Sequence, residues 1–269
     1  MTPADGWRPA LVALDVDGTL ISYAQYLTGT PTSRVVAAVR QARDTGASIV
    51  VATGRTVHST MPLIERLGLQ EGYAVCSNGA VVVDVATRDL VEVETFDITD
   101  PVRYFADEIP DAVLAVEVLG RGFRVTGDFP AGELHGEVEV VDHENLVAEP
   151  VTRLVVRWPN GDRERLRAVA RESGLPSVDY AIGYTAWLDI MPEGVSKALG
   201  LDRVAKRLSL TPADALAVGD GHNDVEMLSW ARWGVAMGQA PDDVKAIADD
   251  VCGDVEDDGL AALLDSYFR

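Results

Sequence analysis

Residues 10–20, ALVALDVDGTL, decide the fold class of this chain. The apolar run from Ala10 to Val16, interrupted only by Asp15, is typical of a buried strand that ends in a turn at Gly18. In an extended chain, residues two apart point to the same side, so Asp15 and Asp17 share one small space. Like charges this close are costly unless a cation or a shared proton relieves them, so the pair indicates a divalent metal. An acidic turn after a strand is the alternative interpretation, because Asp and Gly are ordinary turn residues.

The residues after this strand continue an alternation of strands and helices. The apolar pattern predicts a helix over 35–42, a buried strand over 47–52, a helix over 56–67 and a strand over 73–76. The alternation returns after Val195, with a helix to Leu208, a strand over 215–218, a helix over 223–231 and a strand over 234–237. Such alternation favours a parallel doubly wound sheet, the α/β class. The two flanking regions are therefore interpreted as halves of one sheet.

The region between the two halves has a different pattern. Short alternating strands are predicted at 81–85, 113–118, 122–126, 138–141, 154–158 and 186–190, with helices over 101–109 and 162–173. Gly120 and Gly122 lie between two of these strands and indicate an antiparallel hairpin. We therefore predict that residues 82–190 form an inserted α+β domain, and that residues 1–81 and 191–269 form the α/β domain around it.

Composition and charge limit the partners. The 269 residues include 43 acidic and 23 basic side chains, a formal net charge of -20, which argues against binding to nucleic acid or to an anionic membrane. No segment approaches the roughly 20 apolar residues of a transmembrane helix. Residues 1–9 lack the pattern of a signal peptide, so a cytoplasmic location is expected. Any anionic substrate must then be bound by local positive charge.

Thr53, Gly54 and Arg55 follow the second predicted strand and lead into the second predicted helix. Free backbone N–H groups at a helix start, together with the helix dipole, favour an anion. Gly54 allows close approach of the backbone to a ligand, and Thr53 offers a hydroxyl. An ordinary helix cap is the alternative interpretation of this tripeptide.

Residues 219–224, GDGHND, follow another buried strand and lead into another helix. Asp220 and Asp224 add carboxylates at the edge of the sheet where Asp15 is expected, because the carboxyl ends of parallel strands meet there. Oxygen ligands of this kind suit a hard cation such as Mg²⁺. A polar loop capped by Asn223 would explain these residues without function, but not the repeated acid at strand ends.

Lys197 is one of only three lysines in the chain, the others being Lys206 and Lys245. It is predicted to begin a helix, where the partial positive charge of the helix end disfavours a cation. A bound anion or a cluster of carboxylates would offset this cost, so Lys197 is a candidate for the same site. A solvated helix lysine is the alternative.

These segments resemble, in order and character, the four motifs of the haloacid dehalogenase superfamily of phosphatases. The motifs are DVDGT, TGR, VSK and GDGHND, which begin at Asp15, Thr53, Val195 and Gly219. The insertion between the second and third motifs looks like that of the Cof-type branch, which has an α/β cap of the C2B type. The resemblance implies a Rossmann-like catalytic core over 1–81 and 191–269 and a cap over 82–190.

The resemblance also implies the chemistry. Asp15 would attack phosphorus and become an aspartyl phosphate, while Asp17 would protonate the leaving alcohol and later deprotonate water. Lys197 is the third implied catalytic residue, as the cation that balances charge near Asp15. The implied cofactor is Mg²⁺. Its implied ligands are Asp15, the backbone carbonyl of Asp17, and Asp220, with Asp224 in support, and the implied phosphate-binding residues are Thr53, Gly54, Lys197 and Asn223.

The predicted function is therefore Mg²⁺-dependent hydrolysis of a small phosphorylated metabolite, such as a sugar phosphate or a cofactor or nucleotide phosphate. One alternative is a sugar phosphomutase on the same scaffold, since an aspartyl phosphate can return its phosphoryl group to another hydroxyl. The other is a non-catalytic metabolite-binding protein. Substrate choice is expected to lie in the insertion, whose candidate cationic groups are Arg121, Arg124, Arg153 and Arg157, each of which a salt bridge would also explain.

Overall fold

A computed structural model describes residues 6–25, 29–129, 132–175, 178–182 and 186–268 of the chain. Residues 1–5 of the N-terminal stretch considered above for a signal peptide lie outside the described residues. The chain divides into two compact units. The first runs through Arg55 and includes Thr60–Glu92 and the chain from Ser196 onward, and the second comprises Thr56–Ser59 and Val93–Val195.

The strands alternate with helices in the flanking regions and are more frequent in the middle. The strands are β1 (Leu11–Leu14), β2 (Ser48–Ala52), β3 (Tyr73–Cys76), β4 (Val81–Asp84), β5 (Leu90–Val93), β6 (Val113–Val118), β7 (Gly122–Val125), β8 (Glu137–Val140), β9 (Leu154–Arg157), β10 (Val178–Ile182), β11 (Trp187–Pro192), β12 (Ala215–Gly219), β13 (Trp233–Ala236) and β14 (Asp250–Val251). The helices are α1 (Ser33–Asp44), α2 (Val57–Leu67), α3 (Thr99–Glu108), α4 (His143–Leu146), α5 (Arg163–Glu172), α6 (Lys197–Arg207), α7 (Val225–Trp230), α8 (Asp242–Lys245) and α9 (Gly259–Phe268).

The first unit is built on an eight-stranded sheet in the order β14-β13-β12-β1-β2-β3-β4-β5. Pairing is parallel from β14 to β3, and β1 lies between β12 and β2. Leu11 and Ala13 of β1 face a core cluster that includes Leu201 of α6, and the alternate residues Val12 and Leu14 are equally buried on the other face. A strand apolar on both faces needs cover on both sides, as in a doubly wound fold. The predicted α/β class is confirmed.

This sheet reaches further along the chain than the sequence indicates. Strand β4 pairs antiparallel with β3, and β5 is the outer strand beside β4. The first unit accordingly extends to Glu92 and resumes at Ser196, whereas the predicted insertion covered 82–190. The reason is that β3 and β4 form a hairpin, so a change to an antiparallel pattern here does not mark a new unit.

The second unit contains a six-stranded mixed sheet in the order β10-β11-β9-β6-β7-β8. Neighbouring strands pair antiparallel except β7 with β8, which are parallel, and β6 and β7 form the predicted hairpin. One face packs on helices α3 and α5 in a cluster that includes Phe105, Leu154 and Leu166. The other face carries Phe123 and Val155. The predicted α+β insertion is confirmed as a class of fold.

Helix starts follow local capping. Thr32 caps α1, since its hydroxyl accepts from the backbone N–H of Val35 at 3.2 Å, as expected for a threonine before an apolar helix. Ser196 caps α6 in the same way, with its hydroxyl accepting from Leu199. In the described part of the chain, every helix is too short or too polar to cross a membrane.

Candidate active site

Predicted site residues from three strands lie at one edge of the larger sheet. Asp15 follows β1, Thr53 follows β2 and Asp220 follows β12, and these three strands are parallel neighbours. Parallel neighbours end at the same edge, so their loops converge there. The backbone N–H of Asp15 donates to the Val218 carbonyl at 3.0 Å, which carries the pairing of β1 and β12 up to the candidate nucleophile.

Lys197 is the central cation of this site. Its Nζ donates to Asp15 Oδ1 and to Asp224 Oδ1, each at 2.6 Å. The lysine is 1% exposed although it is the first residue of α6, where the helix dipole disfavours a cation. The two carboxylates offset this cost. Lys197, which the sequence analysis proposed for this site, does contact the carboxylates.

The surroundings of Asp15 and Lys197 raise the pKa values of both residues. Burial of Asp15 raises the pKa of its carboxyl well above the ordinary value, and repulsion from Asp224 and Asp220 adds to this rise while Lys197 opposes it. For Lys197, burial lowers the pKa, but attraction to Asp15 and Asp224 outweighs burial, and the pKa is raised. The ammonium therefore stays protonated, and the carboxylates still carry excess negative charge.

The loop after β12 is folded around the carboxylate of Asp224. Asp224 Oδ2 accepts from the backbone N–H groups of Asp220 and Gly221, at 3.0 and 2.8 Å. A Cβ at Gly219 would lie 2.5 Å from Asp224 Cγ, so only glycine fits there. Asp224 is 0% exposed and holds both the loop and Lys197. This geometry supports an organising role for Asp224.

The carboxylates fit a divalent cation. One oxygen each from Asp15, Asp220 and Asp224 lie within 4.8 Å of one another, and all three residues are buried. Lys197 contacts two of the three, Asp15 and Asp224, and the formal charge of these four side chains together is minus two. Buried charges need partners, and Mg²⁺ prefers oxygen ligands of this kind. The donor set and its charge therefore match the predicted cofactor.

Asp17 lies close to the cluster but has a different partner. Arg55 donates to it in a bidentate pair, from Nε to Oδ2 at 2.8 Å and from the terminal nitrogen to Oδ1 at 2.5 Å. The Asp17 side chain is 30% exposed and that of Arg55 is 11% exposed. A bidentate guanidinium fixes the plane of a carboxylate. The candidate acid and base is thus oriented by the third residue of the TGR motif.

Thr53 and Gly54 lie beside the cluster in a loop and not at the helix itself. Helix α2 begins at Val57, so the N–H groups of these residues are not the end groups of the helix, contrary to the prediction that the tripeptide opens it. The hydroxyl of Thr53 accepts from the backbone N–H of Arg55 at 3.1 Å, and Thr53 is 1% exposed. A tight turn, which the sequence pattern cannot distinguish from a helix start, presents both residues.

Asn223 reaches the same loop through Asn78. The side-chain amide of Asn223 donates to Asn78 Oδ1 at 3.0 Å, and the backbone N–H of Asn78 donates to the Thr53 carbonyl at 3.0 Å. Asn78 has a φ of 54°, a left-handed conformation that asparagine tolerates. A Cβ at Gly54 would lie 3.0 Å from Asn78 Oδ1. Three of the predicted phosphate-binding residues, Thr53, Gly54 and Asn223, are thus connected through Asn78.

Sequence analysis did not assign a role to Arg55 or to Gln239. The side chain of Gln239 contacts both Gly18 and Asp220. Arg55 could have been identified from its place in the TGR motif. For Gln239 the available signal is weaker: it follows a buried strand, β13, next to β12.

Comparison with known proteins places this site in a family. The family model described as haloacid dehalogenase-like hydrolase matches residues 12–264. A 5-amino-6-(5-phospho-D-ribitylamino)uracil phosphatase of Bacillus subtilis is 26% identical, over 97% of this chain and 98% of that protein. An HMP-PP phosphatase of Yersinia pseudotuberculosis is 28% identical, over 86% of this chain and 84% of that protein.

Solved structures of phosphatases also align with this chain over nearly its whole length. A phosphatase of the haloalkanoate enzyme superfamily from Bacteroides thetaiotaomicron aligns with a TM-score of 0.80 and 28% identity, over 99% of this chain and 98% of that chain. A subclass IIB sugar phosphatase aligns with a TM-score of 0.81 at 22% identity, over 96% of this chain and 98% of that chain, and so shares the fold. The chain belongs to the haloacid dehalogenase-like hydrolase family. The predictions of this superfamily, its Cof-type branch and an enzyme of the phosphatase class are confirmed.

Proposed function

We propose that this protein is a Mg²⁺-dependent phosphatase that removes the phosphoryl group of a small phosphorylated metabolite by way of an aspartyl phosphate at Asp15. The observation that carries the proposal is the buried contact of Lys197 with Asp15 and Asp224, at 2.6 Å each, at the carboxyl edge of the sheet. A fixed ammonium beside one oxygen of Asp15 lowers the cost of holding this carboxylate ionised and ready to attack.

The metal site in this proposal consists of Asp15, the backbone carbonyl of Asp17, and Asp220, with Asp224 supporting the loop. When bound, Mg²⁺ supplies charge neutralisation for the phosphoryl oxygens and the carboxylates. The support for this assignment is the group of three buried carboxylates, which offer ligand oxygens within 4.8 Å of one another.

In the first half-reaction, an oxygen of Asp15 forms a bond to phosphorus while the bond between phosphorus and the leaving oxygen breaks. Asp17 gives its proton to that oxygen, so the alcohol leaves neutral. Lys197 and the group formed by Thr53, Gly54 and Asn223 bind the phosphoryl oxygens and keep them in place. The product is an aspartyl phosphate on Asp15.

In the second half-reaction, the ionised Asp17 takes a proton from water, and the water oxygen forms a bond to phosphorus. The bond between phosphorus and the Asp15 oxygen breaks, which releases inorganic phosphate and restores both carboxyl groups. Arg55 holds Asp17 in one orientation for both proton transfers, as its bidentate contact supports. One residue thus serves as acid and then as base.

The substrate class in this proposal is a small phosphorylated metabolite, such as a sugar phosphate or a cofactor or nucleotide phosphate. The names of the relatives support it, because they are phosphatases of a phosphoribitylamino-uracil and of HMP-PP. We further propose that residues 1–81 and 191–269 supply the catalysis and that the insertion over 82–190 acts as a cap that chooses the substrate.

The proposal is tested by phosphate release from a panel of sugar, nucleotide and cofactor phosphates, with Mg²⁺ and with EDTA. We expect Mg²⁺-dependent release of inorganic phosphate, and a phosphorylated peptide that contains Asp15 after acid quenching. Asp15→Asn should abolish both, whereas Asp44→Asn, which removes an exposed carboxylate paired with Arg43, should change neither. Turnover that survives in Asp15→Asn, or an isomerised sugar phosphate in place of free phosphate, would refute the proposed hydrolysis.

A further inference from the structure

Gln239 is a half-buried side chain that connects three loops at the carboxyl edge of the larger sheet. Its Nε2 donates to the Gly18 carbonyl at 2.6 Å and to Asp220 Oδ2 at 3.3 Å. Its Oε1 accepts from the backbone N–H of Val255 at 3.0 Å. The loops after β1, β12 and β14 therefore share one amide group, and both hydrogens of that amide have a use.

The position of this amide relative to the candidate metal ligands is tightly set. Gly18 has a φ of 90°, and a Cβ there would lie 2.1 Å from Asp220 Oδ2. The Asp220 carboxylate thus packs directly on the backbone of Gly18, and Gln239 contacts both. The Gly18 carbonyl belongs to the peptide unit directly after the one that carries the Asp17 carbonyl.

The chemistry of an amide suits this place better than that of a cation. Asp220 is 2% exposed, so its carboxylate needs hydrogen-bond donors. An ammonium or guanidinium would supply them but would also cancel the negative charge that attracts a metal ion. A neutral amide restrains the carboxylate and leaves its charge intact.

We propose that Gln239 is a positioning residue for the metal site: it restrains Asp220 and the Asp17–Gly18 backbone in the arrangement that binds Mg²⁺. The inference rests on the proposed function, since it takes these groups as the metal ligands. Donors that hold a ligating carboxylate from outside the coordination sphere typically change metal affinity by about 10-fold to 100-fold. A side chain that only braced the loop after β14 would act through Val255 and would change stability without changing metal affinity.

The test is direct Mg²⁺ binding by calorimetry to the wild type and to Gln239→Met, which keeps the length of the side chain and removes the amide. We expect the Mg²⁺ dissociation constant to rise about tenfold. The Mg²⁺ concentration for half-maximal activity should rise with it, while kcat at saturating Mg²⁺ should change by less than about threefold. The stabilising shift of Tm by Mg²⁺ at a fixed concentration should shrink.

Gln41→Met is the matched control. The Gln41 amide also donates to a backbone carbonyl, that of Phe268 at 2.8 Å, but it lies between α1 and α9 and outside the candidate site. Each variant loses a hydrogen bond from a side-chain amide to the backbone, so the Tm of the metal-free protein should fall in both. Only Gln239→Met should change the Mg²⁺ dissociation constant.

Gln239→Asn provides a second variant should Gln239→Met fail to fold. Its amide is one methylene shorter and cannot span from Gly18 to Val255, so we expect a rise of about threefold in the Mg²⁺ dissociation constant. A dissociation constant within twofold of the wild type in the folded variants would overturn the inference and leave the proposed function standing. A wild type that binds no Mg²⁺ would overturn both.

Discussion

Both sheets of this protein carry buried charged side chains, but they place them differently. In the first unit, Asp15 and Asp220 lie just beyond the ends of strands, and Lys197 begins a helix. Three carboxylates are grouped there, and Lys197 pairs with two of them, Asp15 and Asp224. In the second unit, Arg157 is the last residue of β9 and forms a bidentate pair with Glu133, at 2.7 and 2.8 Å.

The remaining cationic candidates of the second unit also have acidic partners. Their contacts are Arg121 with Glu137, Arg124 with Glu139 and Glu149, and Arg153 with Glu117 and Asp189. The alternative interpretation of these arginines as salt-bridged side chains is confirmed. Charges paired within one unit already have their partners, whereas excess negative charge at strand ends favours a cationic ligand.

The largest expected effect comes from removing the ammonium that contacts two carboxylates of the cluster. Lys197→Met should lower kcat/KM by about 10³-fold, because the Asp15 carboxylate loses the ammonium that holds it ionised and oriented. Lys206→Met is the control on the same helix, since Lys206 is exposed and pairs with Asp202. Steady-state kinetics at saturating Mg²⁺ would measure both. Equal activity in the two variants would show that Lys197 has no catalytic role. It would also contradict the distinction between catalytic charges in the first unit and structural charges in the second.

A smaller loss is expected when Asp17 loses its bidentate partner. Arg55→Met should lower kcat for alkyl phosphates by about 10²-fold, because a misoriented carboxyl group transfers its proton poorly. Aryl phosphates with good leaving groups need less protonation and should lose less. Arg43→Met removes an exposed ion pair, in which two guanidinium nitrogens donate to Asp44 Oδ1, and should have no such effect. An equal loss for both classes of substrate would contradict an orienting role for Arg55.

The paired charges of the second unit should behave as structural groups. Arg157→Met leaves Glu133, which is 26% exposed, without its guanidinium, and we expect a loss of about 2–3 kcal/mol in the free energy of unfolding. The exposed pair of Arg88 and Glu65 should matter by less than about 0.5 kcal/mol in Arg88→Met. Urea denaturation measures both changes. The Mg²⁺ dissociation constant should stay the same in Arg157→Met, and a change above twofold would show that the two regions are not separable in this way.

The smallest effect concerns the metal-free protein and pH. The pKa of Asp15 is raised above its ordinary value of 3.8 by burial and by neighbouring carboxylates. The stabilising contribution of such a group is present below 3.8 and is lost as pH rises through the pKa of the folded state. Asp15→Asn should therefore be more stable than the wild type at pH 8 in EDTA, with a gap that narrows as pH falls. Thermal unfolding across pH would check the sign, and a gap that widened at low pH would contradict it.

Much of the fold follows from local patterns in the sequence. The apolar runs that become β1, β2 and β12 are short, continuous and followed by turn residues, so their burial in a parallel sheet could be predicted. The assignment of β4 and β5 to the same sheet could not. Their sequence is compatible with either unit, and pairing with β3 decides the matter.

Some residues of the candidate site could likewise be predicted from local sequence, and others could not. Asp15 and Asp220 were predicted because acidic residues recur at the ends of predicted strands, and Lys197 because a lysine at a helix start opposes the helix dipole. Gln239 has no such signal, since a glutamine after a strand is ordinary. Its role depends on contact with Gly18, which lies 221 residues away along the chain.

The sequence by itself determined the family, the alternation that builds the sheet, and which residue types stand at the strand ends. These depend on side chains and their immediate neighbours. Only the tertiary structure decided that Lys197 joins Asp15 to Asp224, that Arg55 holds Asp17, and that every cationic candidate of the second unit is paired. Hydrogen bonds and ion pairs act over a few ångströms of space and not over distance in the chain, so their partners are known only once the chain is folded.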